Sequence, residues 1–277
     1  MKIMSESQTI HYPQDEVHTF LLPVTNACSY NACAFCSMYA GEEFSPVALS
    51  DIEAELKHGD TYTERVFLTG ADPLQIGFDK MSLLLGLIHQ YLPYCACVAS
   101  YASIRSISKY STEELSALHN KGLRDLYIGF ETGSDEILKL MNKGHTAADA
   151  VRQAKKLNEA DLSFNTIIIY GIAGQGRSTE NAAATAEMIM QFRTRRIITM
   201  SLTVFPGTKL KQMVRSGDFR PAGNRERLIE VKTLLENLDP MTPTMFDTTH
   251  PTNILKIKGS LPQDKQKLLA EVQKRIS

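Results

Sequence analysis

The sequence lacks the features that mark several large classes of protein. No apolar run approaches the ~18 residues that a membrane-spanning helix needs. Residues 1–7 contain no apolar stretch of the signal-peptide type. The formal net charge is −1, which goes against an electrostatic grip on nucleic acid or on an anionic membrane surface. Together these absences predict a soluble cytoplasmic protein.

Cysteine is scarce, and its odd count argues against a disulfide framework. Five cysteines in 277 residues, without an export signal, favour metal binding or catalysis. Three of them, Cys28, Cys33 and Cys36, lie close together and can hold three corners of a [4Fe–4S] cluster. Such clusters are usually bound by four cysteines, so one iron would stay open to a non-protein ligand, as in catalytic metal sites.

Two alternatives concern the cysteines. The three clustered thiols could instead bind Zn²⁺ with a histidine, but His11 and His18 do not provide the second ligand pair that structural zinc motifs usually have. Cys95 and Cys97 fall on one face of a predicted strand. A redox role or an auxiliary cluster is one interpretation of that pair, and burial as small apolar side chains is the preferred one.

Six continuous apolar runs alternate with helical patterns, as expected for parallel strands covered by helices. The predicted strands are residues 19–24, 65–69, 95–100, 124–130, 163–170 and 197–204. This alternation predicts an α/β fold, a partial (βα)6 TIM barrel over residues 17–215 with a short C-terminal extension over residues 216–277. Sites in such barrels lie at the carboxyl ends of the strands.

Helix starts are marked by capping residues. Ser50 with Glu53 and Ser111 with Glu114 form predicted capping boxes, and residues 146–149 form a variant. The extension has a predicted helix over residues 225–238, a loop-like segment over residues 246–259 and a last helix over residues 263–276. That segment contains His250, Asn253 and Lys256. We expect it to close the open side of the barrel or to pack the last helix, with His250 as the substrate-facing catalytic candidate.

Two motifs together resemble a known family. The pattern Cys28-x4-Cys33-x2-Cys36, with Phe35 before the third cysteine, resembles the radical S-adenosylmethionine (radical SAM) enzymes, although their usual loop has three residues between the first two cysteines. Residues 127–146 resemble the fourth-strand signature of the coproporphyrinogen oxidase-like, Elongator-type and methylthiotransferase branch. The tail, residues 249–265, is similar to a short, poorly characterised subgroup.

The resemblance implies two cofactors, a [4Fe–4S] cluster and SAM, and an electron donor such as flavodoxin or ferredoxin. It implies metal ligation by Cys28, Cys33 and Cys36. It also implies cofactor-binding roles for a set of residues that are mostly at strand ends: Phe35, Gly70, Asp72, Ser100, Glu131, Lys143 and Gly171.

Individual roles follow from the same resemblance. Gly70 and Asp72 stand where relatives have Gly-Gly-Glu, the turn that receives the SAM ammonium group. Glu131 would contact the ribose or methionine part of SAM, and Lys143 its carboxylate. The glycines from Gly171 onward would allow the backbone to approach the adenine.

The resulting hypothesis is an enzyme that cleaves SAM reductively and abstracts hydrogen from a small-molecule substrate. Two other hypotheses stay open. A haem-binding chaperone without radical turnover would take axial ligands from His, Cys, Met or Tyr. An RNA-modifying enzyme is disfavoured by the near-zero net charge and by the lack of an added RNA-binding domain. The sequence does not identify the substrate or the oligomeric state.

Overall fold

The structure is a computed structural model that describes residues 10–277. The prediction that concerns residues 1–7 therefore lies outside the described residues. The helices in the described part are α1 Leu49–Leu56, α2 Phe78–Tyr91, α3 Ile104–Ile107, α4 Thr112–Asn120, α5 Asp135–Leu140, α6 Ala147–Glu159, α7 Ser178–Ile189, α8 Lys209–Ser216, α9 Asn224–Asn237 and α10 Lys265–Ile276. Two short 3₁₀ helices cover Gln14–Glu16 and Pro73–Ile76.

The strands of residues 10–277 follow one another along the chain and in the sheet. They are β1 Phe20–Pro23, β2 Arg65–Thr69, β3 Cys97–Ala102, β4 Leu123–Glu131, β5 Ser163–Tyr170, β6 Arg196–Ser201, β7 Thr244–Asp247 and β8 Lys258–Leu261. Their order in the sheet is β1 to β8. The register is parallel from β1 to β4 and from β5 to β7, and β8 runs antiparallel to β7.

All six predicted strands are present, with ends that shift by up to three residues. Burial explains why continuous apolar runs marked them. The last four residues of β2 are buried, and so are most of those in β4 and β5. A strand covered on both faces has no polar side to alternate with.

Two features of the extension differ from the sequence-based expectation. The segment 246–259 is not wholly loop-like, because Phe246 and Asp247 belong to β7 and Lys258 and Gly259 to β8. The last helix begins at Lys265, two residues later than predicted. Both strands are four residues long, too short for a clear apolar pattern, and β7 forms by pairing with β6.

The predicted helix starts have mixed outcomes. Ser111 and Glu114 form the expected reciprocal capping box of α4. Thr146 and Asp149 exchange the same hydrogen bonds before α6. The box predicted at Ser50 is wrong, because α1 already begins at Leu49 without a side-chain cap. Gly122 follows α4 at φ +99°, the left-handed conformation that favours glycine after a helix.

The chain divides into two compact units, which are described separately below. Within the described part, the first contains the residues up to 31 together with 39–128 and 159–163, and the second contains residues 32–38, 129–158 and 164–277. In the second unit, an apolar cluster joins the cysteine loop to α5, α8 and the end of β5. Its buried members include Ala34, Ile137, Met141, Ile169 and Leu210. This cluster places part of the predicted metal-binding loop on a packed base.

Candidate cofactor site

The boundary between the units falls within the cysteine loop, here defined as residues 28–36. Cys28 belongs to the first unit, and Cys33 and Cys36 to the second. All three side chains are half-buried, and none of the five cysteines, all in the described part, forms a disulfide. Each thiol is therefore chemically available as a thiolate ligand.

In the first unit, Cys28 is followed by a spacer with contacts of its own. The Asn31 backbone N–H donates to the Cys28 sulfur over 3.3 Å, and the Asn31 side chain donates to the Tyr39 carbonyl over 2.7 Å. Asn31 has φ +42°, a conformation that asparagine adopts more readily than most residues. The Arg105 guanidinium lies 4.5 Å from the centre of the Tyr30 ring. These contacts hold the longer spacer in a defined shape.

Gly70 follows β2 at a point of very close backbone approach. Its φ is +104°, and an added Cβ would lie 2.1 Å from Thr25 Oγ1. Only glycine fits such a position. The Thr25 hydroxyl is buried and has no hydrogen-bond partner among residues 10–277. The turn after β2 therefore lies directly against a buried, unpaired polar atom.

Asp72 lies two residues after Gly70 and is only 2% exposed. Its Oδ2 accepts hydrogen bonds from Ser103 Oγ at 2.6 Å and from Gln75 Nε2 at 3.2 Å. Its Oδ1 is buried and has no hydrogen-bond partner within the described part of the chain. Burial raises the pKa of this carboxyl above its usual value, and the bonds from Ser103 and Gln75 only partly oppose the effect. A cationic donor at Oδ1 would satisfy both the charge and the empty acceptor position.

Ser100 is fully buried in β3, and its hydroxyl donates to the Tyr101 carbonyl over 2.8 Å. Because this hydroxyl already donates to the main chain, the cofactor contact predicted for Ser100 stays a prediction. The neighbouring Tyr101 ring meets Phe67 edge-on, with centroids 5.1 Å apart. Burial raises the pKa of the Tyr101 hydroxyl, so that it stays protonated near neutral pH.

In the second unit, the rest of the cysteine loop is fixed through its main chain. The Ala34 N–H donates to the Met141 carbonyl over 2.8 Å, and the Leu210 N–H donates to the Ala34 carbonyl over 2.8 Å. The Asn142 side chain donates to the Ala32 carbonyl over 2.7 Å. Phe35 is partly buried and packs on the apolar cluster. Cys33 and Cys36 therefore lie on a segment with a fixed backbone.

Glu131 and Lys143 form an ion pair in the second unit. Lys143 Nζ lies 2.6 Å from Glu131 Oε1, and the side chains are 17% and 8% exposed. Burial alone would lower the pKa of Lys143, but Glu131, Cys33 and Cys36 outweigh it and the pKa is raised. Glu131 ends β4 at φ +65°, unusual for a residue with a side chain. Gly129 leaves room for the pair, because a Cβ there would lie 2.4 Å from Glu131 Oε1.

Gly171 starts the turn after β5, here called the strand-five turn (residues 171–176). Its φ is +73°, and its N–H donates over 2.7 Å to Oε2 of Glu230 on α9. Sequence reasoning missed Glu230, which is separated from Gly171 by 59 residues. The available signal was an acidic residue one turn before Leu234 on the buried side of α9.

His250 follows β7 and is half-buried. Its Nδ1 lies 2.8 Å from Thr252 Oγ1. Burial, together with the nearby charge of Lys256, lowers its pKa, so the ring is neutral near pH 7. Asn253 of the predicted polar cluster is buried and donates to the carbonyls of Thr199 and Thr248. Asn253 therefore serves packing, and the substrate-facing role of His250 stays a prediction.

The residues present fit the predicted cofactors. Three thiols on one loop suit the separate irons of a cubane, and Thr25 and Asp72 provide buried polar atoms that have no partner in the part of the chain that the structure describes. Within residues 10–277, no group of three His, Cys, Asp or Glu side chains is arranged around a single-ion position. A cluster needs no such grouping, since each thiolate binds a different iron.

Comparisons with known proteins agree with this interpretation. The family model described as the Radical SAM superfamily matches residues 22–186. The heme chaperone HemW of Bacillus subtilis is 21% identical over 76% of this chain and 54% of its own length. A tRNA-2-methylthio-N(6)-dimethylallyladenosine synthase of Methylococcus capsulatus is 30% identical over 50% of this chain and 31% of its own length. The chain thus spans a third to a half of these relatives.

A solved structure shows the fold. The crystal structure of methylornithine synthase (PylB) covers 92% of this chain and 68% of its own, with a TM-score of 0.59 and 14% identity. The predicted resemblance and the partial (βα)6 barrel fold are confirmed. Membership of the Radical SAM superfamily agrees with the predicted enzyme class and with the two predicted cofactors, the [4Fe–4S] cluster and SAM. No helix in residues 10–277 has the length and apolar character to cross a membrane.

Proposed function

Because the chain belongs to the radical SAM superfamily, we propose that it cleaves SAM reductively and uses the product to abstract a hydrogen atom from a small-molecule substrate. The observation that carries this proposal is the cysteine loop. Three cysteines follow β1 within one loop, and part of that loop is fixed through its main chain. A cluster bound by three cysteines keeps one iron open for SAM.

The protein would contribute binding and orientation, while the cofactors supply the radical chemistry. When bound, the cluster and SAM would supply the one-electron chemistry, which is the reductive cleavage of SAM. Cys28, Cys33 and Cys36 would hold the cluster, and Phe35 would shield it from water. The Asp72 carboxylate, with Oδ1 unpaired, would accept from the SAM ammonium group.

Glu131 and Lys143 would orient the remainder of SAM. In this arrangement Lys143 Nζ would accompany the SAM carboxylate, and the Glu131 carboxylate would accept from the ribose hydroxyls. Their mutual ion pair keeps both charges compensated before SAM binds. Gly70, Ser100 and Gly171 would line the cofactor through their main chain. His250, neutral near pH 7, would face the substrate as a hydrogen-bonding or proton-transferring group.

The proposal extends to the cellular setting. An acceptor of single electrons requires a donor, and we infer a flavodoxin or ferredoxin. The near-zero net charge supports a small molecule rather than a nucleic acid. Five cysteines without a disulfide support a cytoplasmic location, where thiols stay reduced.

The proposal is tested by anaerobic reconstitution followed by reduction with dithionite. We expect about four iron and four sulfide per chain, with release of 5′-deoxyadenosine from SAM. The triple variant Cys28→Ala/Cys33→Ala/Cys36→Ala should lose the cluster. The matched control Cys95→Ala/Cys97→Ala should keep it. Full iron content in the triple variant, or one zinc in the native protein, would contradict the proposal.

A second measurement separates this function from haem delivery. Reconstituted protein is titrated with haem in parallel with the assay for 5′-deoxyadenosine. Stoichiometric haem binding without SAM cleavage would favour the chaperone alternative. Glu131→Ala should weaken SAM binding while leaving the iron content intact. An unchanged SAM dissociation constant in that variant would remove the assigned role of Glu131.

A further inference from the structure

A buried carboxylate outside the family-matched residues connects two of the strand ends. Glu230 lies on α9, beyond residues 22–186, and is 2% exposed. Its Oε2 accepts from the Gly171 N–H at 2.7 Å, and its Oε1 accepts from Asn181 Nδ2 of α7 at 2.9 Å. Both carboxylate oxygens are therefore used inside the protein.

The hydrogen bonds continue from Asn181 to the end of β4. Thr132 Oγ1 donates to Asn181 Oδ1 over 2.5 Å, and Ser134 N–H donates to Thr132 Oγ1 over 3.0 Å. Thr132 directly follows Glu131. A chain of buried polar groups therefore runs from the strand-five turn, through Glu230 and Asn181, to the residue next to Glu131.

The strand-five turn depends on such external support. Gly171 has no side chain to anchor it, and Gly174 and Gly176 also have positive φ angles. Glycines confer backbone freedom that must be removed by contacts from outside the turn. The Gly171 N–H donates to Glu230, and Gly176 N–H donates to Glu226 over 2.6 Å. Helix α9 therefore holds both ends of this turn.

We propose that Glu230 is a positioning residue, which holds the strand-five turn and, through Asn181 and Thr132, the position of Glu131 in the geometry that receives SAM. The inference rests on the proposed function for its ligand. It assigns to the C-terminal extension a part in SAM binding that is distinct from any contact with the substrate. Glu230 itself does not touch SAM in this assignment.

The charge of Glu230 makes the assignment measurable. Burial raises its pKa to about 7, while the hydrogen bonds from Gly171 and Asn181 oppose that rise. The charged or titratable groups around it are Glu226 and Arg227 on α9 and Tyr170 on β5, and Asp247 on β7 acts on Tyr170. Deprotonation strengthens the bond from Gly171, since hydrogen bonds to ionised acceptors are stronger. SAM binding should therefore tighten as the pH rises through this range.

The first experiment follows the Gly171 amide by NMR in cofactor-free protein. Its proton shift should move with a midpoint near the pKa of Glu230 in the native chain and stay flat in Glu230→Gln. Hydrogen exchange at Gly171 should be about tenfold faster in Glu230→Ala, because the buried acceptor is lost. Glu236→Gln is the matched control, since Glu236 lies on the same helix and its carboxylate pairs with Lys232 near the surface.

The second experiment measures SAM dissociation constants with reconstituted protein at about pH 6 and about pH 8, on either side of the Glu230 titration. Glu230→Ala should bind SAM about tenfold more weakly with unchanged iron content, as expected for loss of one hydrogen bond to a charged group. Glu230→Gln should restore most of the affinity without its pH dependence. Asn181→Ala should weaken binding by about threefold, since it breaks only the branch toward Thr132.

The outcomes separate the two proposals. If the native protein does not bind SAM, the proposed function fails, and the Gly171 amide still tests the role of Glu230. If the native protein binds SAM and Glu230→Ala binds it equally well, the positioning role is wrong. Should Glu230→Ala fail to fold, Glu230→Gln and Asn181→Ala decide. The inference would be overturned if SAM binding by Glu230→Gln kept the pH dependence of the native protein and Asn181→Ala bound SAM with native affinity.

Discussion

In the first compact unit, the two ends of strands β2 to β4 differ in how their buried charged side chains are paired. At the amino end, Arg65 donates to Glu16 at 2.5 Å and to Asp125 at 3.1 Å, and also to the Cys97 sulfur at 2.7 Å. The Tyr127 hydroxyl adds a bond to Glu16 at 3.0 Å. Each buried charge there has a partner of opposite sign.

At the carboxyl end, the buried Asp72 accepts from the neutral donors Ser103 and Gln75, and one of its oxygens has no partner among the described residues. Burial raises the pKa of Glu16 too, but the bonds from Arg65, Thr19 and Tyr127 outweigh it, and the net shift is downward. The pKa of Asp72 moves upward. We infer from this difference that the charge pairs at the amino end stabilise the fold. The carboxyl end instead has a buried carboxylate that can bind a ligand, and ligand sites usually lie at this end in barrels.

The largest expected effect comes from breaking the charge pairs of Arg65 at the amino end of the strands. Arg65→Met removes the cation that pairs with the buried carboxylates of Glu16 and Asp125, which should lower the free energy of unfolding by about 3–5 kcal/mol. Chemical denaturation measures the change. Arg152→Met is the control, because its pair with Asp149 is exposed, and it should cost less than about 1 kcal/mol. If both variants lost the same free energy of unfolding, the charge pairs at the amino end would have no special role in stability.

Removing the charge at the unpaired end should affect binding rather than stability. Asp72→Asn should weaken SAM binding by roughly 10- to 100-fold, the value of a hydrogen bond between charged groups. Because the folded-state pKa of Asp72 is raised, its ionisation destabilises the fold as the pH rises above the unfolded value. The variant should therefore be at least as stable as the native protein at about pH 8. Isothermal titration and denaturation test both parts, and a loss of stability as large as that of Arg65→Met would contradict this prediction.

Low pH should remove the stabilisation that the charge pairs at the amino end of the strands provide. The folded-state pKa of Glu16 is lowered, so its contribution is present above the unfolded value of about 4.5 and is lost as the pH falls through the folded value. Glu16→Gln should lower stability by about 1–2 kcal/mol at neutral pH and by progressively less in acid. Urea denaturation across this range measures it. A difference between the two proteins that stays constant with pH would show that Glu16 does not act through its charge.

The smallest effect is expected at Ser103, which both caps α3 and donates to Asp72. Ser103→Ala should cost about 1 kcal/mol of stability from the lost cap. It should also raise the pKa of Asp72 further, since a bond to the ionised form is lost. Ser111→Ala removes the cap of α4 without touching Asp72 and serves as the control. SAM affinity should fall a few-fold in Ser103→Ala and stay unchanged in Ser111→Ala. Equal SAM affinity in the two variants would show that Ser103 does not act on the site.

Much of the fold could be predicted because its signals are local. Continuous apolar runs marked six strands, and the boxes at Ser111 and Thr146 are formed by residues three apart. The strands β7 and β8 gave no such signal, because four-residue strands form through pairing with distant segments. Ser50 failed as a cap because α1 begins one residue earlier, at Leu49.

The candidate site was predictable only where a motif carried it. The cysteine loop and the residues at the strand ends were found in this way. Glu230 was missed because its partner Gly171 is far away in sequence, and no spacing rule connects a helix of the extension with the turn after β5. The ion pair of Glu131 and Lys143 was missed for another reason, since each residue was assigned to SAM separately.

The main-chain anchoring of the cysteine loop has a consequence for how the cluster enters the protein. Ala32 and Ala34 are bound through their backbones to Met141, Asn142 and Leu210, so this part of the loop does not depend on metal for its shape. Insertion of the cluster then orders few additional residues, and little conformational entropy opposes it. Cluster insertion should therefore require little rearrangement of the backbone at residues 32–34.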